Sequence, residues 1–307
     1  MEHWVYEADE WQEKNSSGIL EKYLLFPGFY VQFVESQWLN FGAGKYEGMN
    51  QFRVDFTLAG RFECEFLDST FSYRHDGEVT VLGTPLSKNW VHRAYLPTGH
   101  YQGCALVLEL DKWTGQEANF LKYFGVNIQE LMKKLNVIQK WYKVDENEEF
   151  TQAFHELYVL HARGAGGRIL LKAMDLLLLL NELTIPQSFV QNQDIFFPAH
   201  QIKTVKQIHA YILNHMDQEI IFGELVPCYD IGYTLFNKVF KAIYGKSPYQ
   251  YLKNLRIGKA KKMLRHTDFS VMEIANRVGY NNASKFAHAF QKIAGTTPHQ
   301  YRKKKEI

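Results

Sequence analysis

Cysteine is scarce. Cys64, Cys104 and Cys228 are the only three in 307 residues, far apart and without CxxC or metal-type spacing. Three thiols cannot all pair, so a disulfide-stapled secreted fold is excluded and a reducing compartment with free thiols is expected. Long apolar runs are missing. The longest, Leu176 to Leu180, falls far short of the roughly 20 residues a membrane-crossing helix needs. The opening MEHWVYEADEWQEK is polar and acidic and reads as neither signal nor transit peptide, which predicts a cytoplasmic chain with no membrane partner. No G-x-S-x-G, H-E-x-x-H, P-loop or G-x-G-x-x-G signature occurs, so catalysis has no positive support. His75, His92 and His100 lack close metal-ligand spacing, and neither a metal nor a cofactor is expected.

Hydrophobic residues make up 46% and aromatics 15%, which suits folded cores. The net charge of +2 hides an asymmetry. From Ile202 onward there are 18 Lys/Arg and 7 Asp/Glu, a net of +11; the residues before it hold the remaining 17 and 26, a net of −9. A basic tail behind an acidic front predicts a polyanionic partner for the tail alone.

Four segments are expected. Residues 1–115 alternate apolar and polar, as in Phe52-Arg53-Val54-Asp55-Phe56-Thr57-Leu58, with short runs such as Val79–Leu82 and Ala105–Leu108, so they predict an antiparallel β-barrel or sandwich, cupin-like. Residues 116–184 turn helical: Phe120, Phe124, Ile128, Leu131 and Leu135 recur at three or four. Arg168 to Leu183 is apolar on most sides, which suits either a core helix or self-association into a homodimer. Residues 185–201 carry two prolines and no period and read as a linker. Residues 202–307 are the basic tail. The fold class is α+β, with the β-domain and its helices in front of an all-α domain.

The tail reads one pattern twice. Phe236, Phe240, Gly245, Ser247, Pro248, Gln250 and Tyr251 recur 50 residues later as Phe286, Phe290, Gly295, Thr297, Pro298, Gln300 and Tyr301. An aromatic pair, a Gly stop and a Ser/Thr-Pro restart describe two tandem helical units. In the second, Ser270 and Glu273 form a capping box. A helix carrying Ile274, Ala275 and Val278 stops at Gly279, Tyr280-Asn281-Asn282 turns, and a recognition helix runs from about Ala283 to Ala294. With Phe286, Phe290 and Ile293 inward, Lys285, His288 and Lys292 face out and Asn282 sits at the helix start, where Asn can pair with adenine and Lys with guanine or phosphate. In the first unit Phe236, Phe240 and Ile243 point inward, and Tyr233, Thr234, Asn237, Lys238 and Lys241 outward. Pro227 and Asp230 predict a kinked or shortened first helix there. From Ser247-Pro248 to about Arg265, a connecting helix buries Tyr251, Leu252, Leu255, Ala260 and Leu264. Lys253, Arg256, Lys259, Lys261, Lys262 and Arg265 coat the rest. Its length of about 27 Å is close to the roughly 34 Å between successive major grooves on one face of DNA. Both units together predict a double helix-turn-helix gripping duplex DNA.

The stretch Ile274-Ala … Gly279-Tyr-Asn-Asn-Ala-Ser-Lys-Phe286 … Phe290 … Gly295-Thr-Thr-Pro298-His-Gln-Tyr301-Arg302 resembles the signature of the AraC/XylS family of bacterial transcription regulators. The resemblance covers about residues 203–303. It implies a seven-helix domain with two helix-turn-helix units, Arg302 within its DNA-binding set, and activation of transcription through RNA polymerase. The front domain is similar in layout to the family's β-barrel sensor domains, more loosely to those of its siderophore-responsive members. A small-molecule effector pocket is expected there, from Phe52, Tyr73 and Trp90 with Arg53, Glu63 and His92 as its polar members. Two rival readings are a DNA-tethered enzyme, such as a repair methyl acceptor, and a constitutive DNA-binding protein without effector. The first needs an activated cysteine, and Cys64 and Cys104 have no local His or basic pair in the sequence.

Overall fold

The computed structural model describes residues 3–7, 18–37, 50–66, 68–83, 91–135, 137, 142–144, 148–183 and 196–303, with the side chains of 3–7, 91 and 92 left out. The chain divides into two compact units, Met1–Pro198 and Ala199–Ile307.

The first unit opens with β1 (His3–Glu7), β2 (Gly18–Phe26), β3 (Phe29–Ser36), β4 (Gln51–Gly60), β5 (Phe62–Phe66), β6 (Thr70–Arg74), β7 (Val79–Gly83), β8 (Val91–Tyr95) and β9 (Tyr101–Glu109). It continues with α1 (Gln116–Tyr123), α2 (Ile128–Lys134), β10 (Tyr142–Val144), α3 (Glu148–Ala162), α4 (Gly166–Glu182) and β11 (Phe197–Pro198). Among the described residues the strands form a seven-stranded sheet, β1-β2-β3-β9-β4-β7-β10, and a four-stranded sheet, β11-β6-β5-β8. The pairings among the described strands are antiparallel, as β4 on β9 and β5 on β6. The chain passes from one sheet to the other at Gly60. Its φ is +87°, and a Cβ there would lie 2.2 Å from the His100 carbonyl oxygen, so the crossing requires glycine.

Period-2 alternation sends each strand's side chains to two different environments. On β4, Phe52, Val54 and Phe56 enter the core shared with the helices, where Phe56 stacks on Phe154 of α3 at 4.8 Å. The residues between them face the four-stranded sheet: Asp55 takes Arg53 of its own strand and Arg74 of β6. α4 places Ile169, Ala173, Leu177 and Leu180 in the same core, while Leu171 is 73% exposed. The helix is thus an intradomain core helix on one face and apolar outside as well.

Two sequence expectations change here, and the helical period gains a break. The residues from Phe120 to Leu135 form two helices. Gly125 takes φ +75° and Asn127 caps a new start by accepting from the backbone N–H of Gln129 and Glu130. Phe120 and Phe124 are left 41% and 48% exposed. Within 116–184, β10 pairs with β7, so this segment is no separate helical connector. The expected linker 185–201 lies mostly outside the described residues, but Phe197–Pro198 pair with β6 and a helix begins at Ala199.

A buried carboxylate makes the first unit sensitive to acid. Burial alone would raise the Glu78 carboxyl, but the hydrogen bond from His75 and the Lys143 ammonium at 2.7 Å outweigh it and bring it down to about 2. A depressed carboxyl contributes stability above its unfolded value, near 4.5, and loses it as pH falls toward the folded one. The contribution is about 3 kcal/mol. Urea unfolding followed by tryptophan fluorescence should therefore show stability falling between about pH 4.5 and pH 2, with that part of the slope absent in Glu78→Gln. An unchanged slope in the variant would locate the acid sensitivity elsewhere.

The second unit contains α5 (Ala199–Asn214), α6 (Phe222–Leu225), α7 (Tyr233–Tyr244), α8 (Pro248–His266), α9 (Val271–Arg277), α10 (Ala283–Ala294) and α11 (Pro298–Lys303). These are seven helices among the described residues. The 50-residue echo is structural. Gly245 and Gly295 both end recognition helices in the left-handed region, at φ 78° and 72°. Ser247 and Thr297 each cap the next helix through the N–H of Gln250 and Gln300, whose side chains accept the capping residue's own N–H. Phe236, Phe240, Phe286 and Phe290 are all fully buried. Pro227 acts as expected. α6 stops after one turn, and a 3-10 turn over Val226–Tyr229 takes its place, ending at Asp230 with φ 54°. Asp is among the few residues that tolerate that conformation.

Candidate nucleic-acid interface

α7 and α10 are the recognition helices. Each buries one stripe and turns the other outward. On α10, Lys285, His288 and Lys292 are exposed, as are Ser284 and Gln291, which the sequence reading passed over. The 50-residue register could have found them, since Ser284 falls opposite Thr234 and Gln291 opposite Lys241. On α7, Tyr233, Thr234, Lys238 and Lys241 are exposed. Asn237 is only half-exposed, with its side-chain oxygen out of contact with water.

Two of the expected contact residues also serve the fold. Asn282 is the N-cap of α10: its Oδ1 accepts from the backbone N–H of Ser284 at 2.8 Å and of Lys285 at 3.0 Å. Bidentate pairing with adenine needs both amide atoms, and one is committed to the helix. Arg302 on α11 donates through Nη2 to the Phe269 carbonyl. It ties α11 to the loop before α9, and its Nε is buried. Lys285 is the third residue of α10, on its first turn, where the Asn282 cap holds its backbone. This face sits on the domain whose net charge is +11, which attracts a polyanion at long range.

Of the six residues expected to line an effector pocket, the four whose side chains are described do not converge. Phe52 is sealed in the helix-facing core. Arg53 lies on the opposite face of β4, donating through Nε and Nη2 to both oxygens of Asp55. Glu63 and Tyr73 are paired across β5 and β6, both buried, with Tyr73 against Phe197. By alternation they leave the sheet on the side away from Cys64, Ser72 and Arg74. Trp90 lies outside the described residues, as does the side chain of His92, whose backbone is in β8. What does meet between the sheets is a polar group: Arg53, Asp55 and Arg74, with Tyr101 ring-to-ring against Phe62 at 5.2 Å. Alternation would have placed Arg53 with Asp55, but the partner from the other sheet carries no sequence signal.

Cys64 and Cys104 are buried. Burial pushes the Cys64 thiol up to about 12 and raises that of Cys104 as well, so neither forms the thiolate a methyl acceptor needs. Among the described residues no three His, Cys, Asp or Glu side chains gather as a metal site, and no helix is long and apolar enough to cross a membrane.

A family model described as a helix-turn-helix domain matches residues 229–304. The chain is 25% identical over 187 residues to the HTH-type transcriptional activator RhaS of Klebsiella pneumoniae strain 342, covering 61% of this chain and 59% of that protein. It is 26% identical over 129 residues to RhaS of Salmonella arizonae, covering 42% and 43%. The chain thus spans about six-tenths or less of these relatives. Among solved structures, the C-terminal domain of AraT, a response regulator from Geobacillus stearothermophilus, is 29% identical with a TM-score of 0.32, over 33% of this chain and 84% of that one. The DNA-binding domain of AdpA, solved with a target DNA, is 25% identical with a TM-score of 0.31, over 32% and 89%.

Proposed function

We propose that the C-terminal domain of this chain is of the AraC/XylS type and that the whole chain is a sequence-specific DNA-binding transcription regulator. It acts as an activator that answers to a small-molecule effector. One observation carries the reading: two helices, α7 and α10, stop at left-handed glycines 50 residues apart and turn exposed polar faces outward from a domain of net charge +11. Side chains on those faces reach base edges and phosphates of duplex DNA. Lys285, His288, Ser284 and Thr234 are the side chains assigned to base edges, and Lys238, Lys241 and Lys292 those assigned to phosphates.

The effector reading rests on the first unit. Charged side chains held between two sheets, at Arg53, Asp55 and Arg74, suit a polar ligand better than the aromatic pocket expected from sequence. The relatives named as transcriptional activators support activation, and contact with RNA polymerase is what the resemblance to the family implies. The outer face of α4, with Leu171 exposed, supports a homodimer. A regulator of this kind works in the cytoplasm.

The test is retention of sheared genomic DNA by the purified chain, followed by sequencing of what is held. A common motif spanning two successive grooves is expected. A chain shortened to residues 199–307 should hold the same fragments and lose any change on adding metabolites. Retention without a shared motif would refute specific regulation, and a shortened chain that still responds would refute the sensor role of the first unit.

A further inference from the structure

The two helix-turn-helix units have to be held at one angle if they read one site, and a single side chain sits where their parts meet. Arg256 lies on α8, the connecting helix. The sequence reading placed it among the basic residues coating that helix. Instead it is half-buried and meets backbone carbonyls from the first half of the domain and an aromatic ring from the second. Its Nε donates to the Met216 carbonyl at 2.7 Å and its Nη2 to the Gln218 carbonyl at 2.6 Å. Both carbonyls belong to the turn that follows α5. The same guanidinium lies over the Tyr280 ring, 5.6 Å from its centroid. Tyr280 stands in the turn between α9 and α10.

Gly279 completes the arrangement. Its φ is +84°, and a Cβ built there would come 2.8 Å from Arg256 Nη2 and 2.8 Å from the Met216 carbonyl oxygen. The end of α5, the middle of α8 and the turn before α10 therefore converge on one planar group. A guanidinium suits this place because it forks its donors to two carbonyls and presents a flat face to an aromatic ring, whereas an ammonium is a point charge.

We propose that Arg256, seated against Gly279, is a positioning residue that locks the two helix-turn-helix units at one relative orientation, so that the spacing between the two halves of the DNA site is read as strictly as its bases. This rests on the DNA-binding reading but is tested apart from it. α8 by itself, 19 residues long, spans about 28 Å and fixes a distance. It leaves rotation of each unit about the helix to be set by contacts such as this one.

The first measurement needs no DNA. In the full chain, with Cys228→Ser, spin labels are placed at Lys238→Cys on α7 and Lys285→Cys on α10. Cys64 and Cys104 are buried and stay unlabelled in the native state. A single narrow distance distribution is expected, broadening in Arg256→Ala and also in Arg256→Lys. A distribution equally narrow in both variants overturns the lock.

The second measurement compares binding of the full chain to its retained site and to the same site with one base pair inserted between its halves. The native chain should prefer the intact site about ten-fold or more, the order of one mismatched base pair. Arg256→Ala should reduce that ratio toward one. Because it is a ratio, partial unfolding of the variant does not move it. Arg256→Lys should not restore it; restoration by Lys would mean that Arg256 acts through its charge, as a phosphate contact does, and would refute the lock. A chain that retains no DNA motif, yet shows the label broadening, would refute the DNA reading and keep the lock.

Discussion

Raising salt from 50 to 200 mM should weaken binding of the full chain to its retained site by about a thousand- to a hundred-thousand-fold. The reason is counterion release. Duplex DNA holds a condensed layer of cations, and each phosphate neutralised by the protein frees some of them into bulk, a gain that shrinks as bulk salt rises. Lys238, Lys241, Lys246, Lys259, Lys262, Lys285 and Lys292 are all exposed on α7, α8, α10 and the short link between α7 and α8. Two units in successive grooves would make about 6–10 phosphate contacts, for which log affinity falls with log salt at a slope of about −5 to −9. Equilibrium titrations at four salt concentrations measure it. A slope shallower than about −2 would rule out a two-groove complex. Lys285→Ala separates the two roles a lysine can have: loss of about 1–3 kcal/mol on the specific site alone marks a base contact, whereas a uniform loss with the slope reduced by about one marks a phosphate contact.

Phe286→Ala should destabilise the second unit by about 3–5 kcal/mol. The ring is fully buried, among Ile257, Ala260, Leu264, Ile274, Val278 and Phe290. Removing it takes a large apolar surface from the core and leaves a cavity that rigid helices only partly close. Against the 5–15 kcal/mol that holds a typical domain together, the loss is severe. The chain offers a way to see it by unit. Its six tryptophans, Trp4, Trp11, Trp38, Trp90, Trp113 and Trp141, all precede residue 199. Their fluorescence reports the first unit, while helical circular dichroism is weighted toward the second. In urea the dichroism transition should move to lower concentration in Phe286→Ala and the fluorescence transition should stay. If both moved together, the two units would unfold as one. If neither moved, Phe286 would not be part of the core described.

What the sequence could disclose was whatever local chemistry dictates. Phe236 and Phe286 are legible as core because apolar residues at helical spacing must face inward. Gly245 and Gly295 are legible as stops because the left-handed conformation favours glycine. Ser270 with Glu273 is a legible start because the capping box lies within four consecutive residues. Pro227 announces its broken helix for the same reason, since a missing N–H acts on its own turn. Asn282 is legible at the helix start, and its capping role follows by the same logic, because an Asn just before a helix serves the helix's own N–H groups first. The period from Phe120 to Leu135 hides its break, because Gly125 interrupts it without disturbing the apolar spacing.

Sequence alone thus settled the tandem domain, its inward stripes and most of its outward face, because those follow from helical period and from caps a few residues wide. Tertiary structure alone decided which distant groups meet. Asp55 faces Arg74 across two sheets, Phe52 and Arg53 part to opposite sides of one strand, and Arg256 reaches Met216, 40 positions away. No periodicity encodes such meetings, because they depend on how whole elements pack, and packing couples residues that the chain keeps far apart.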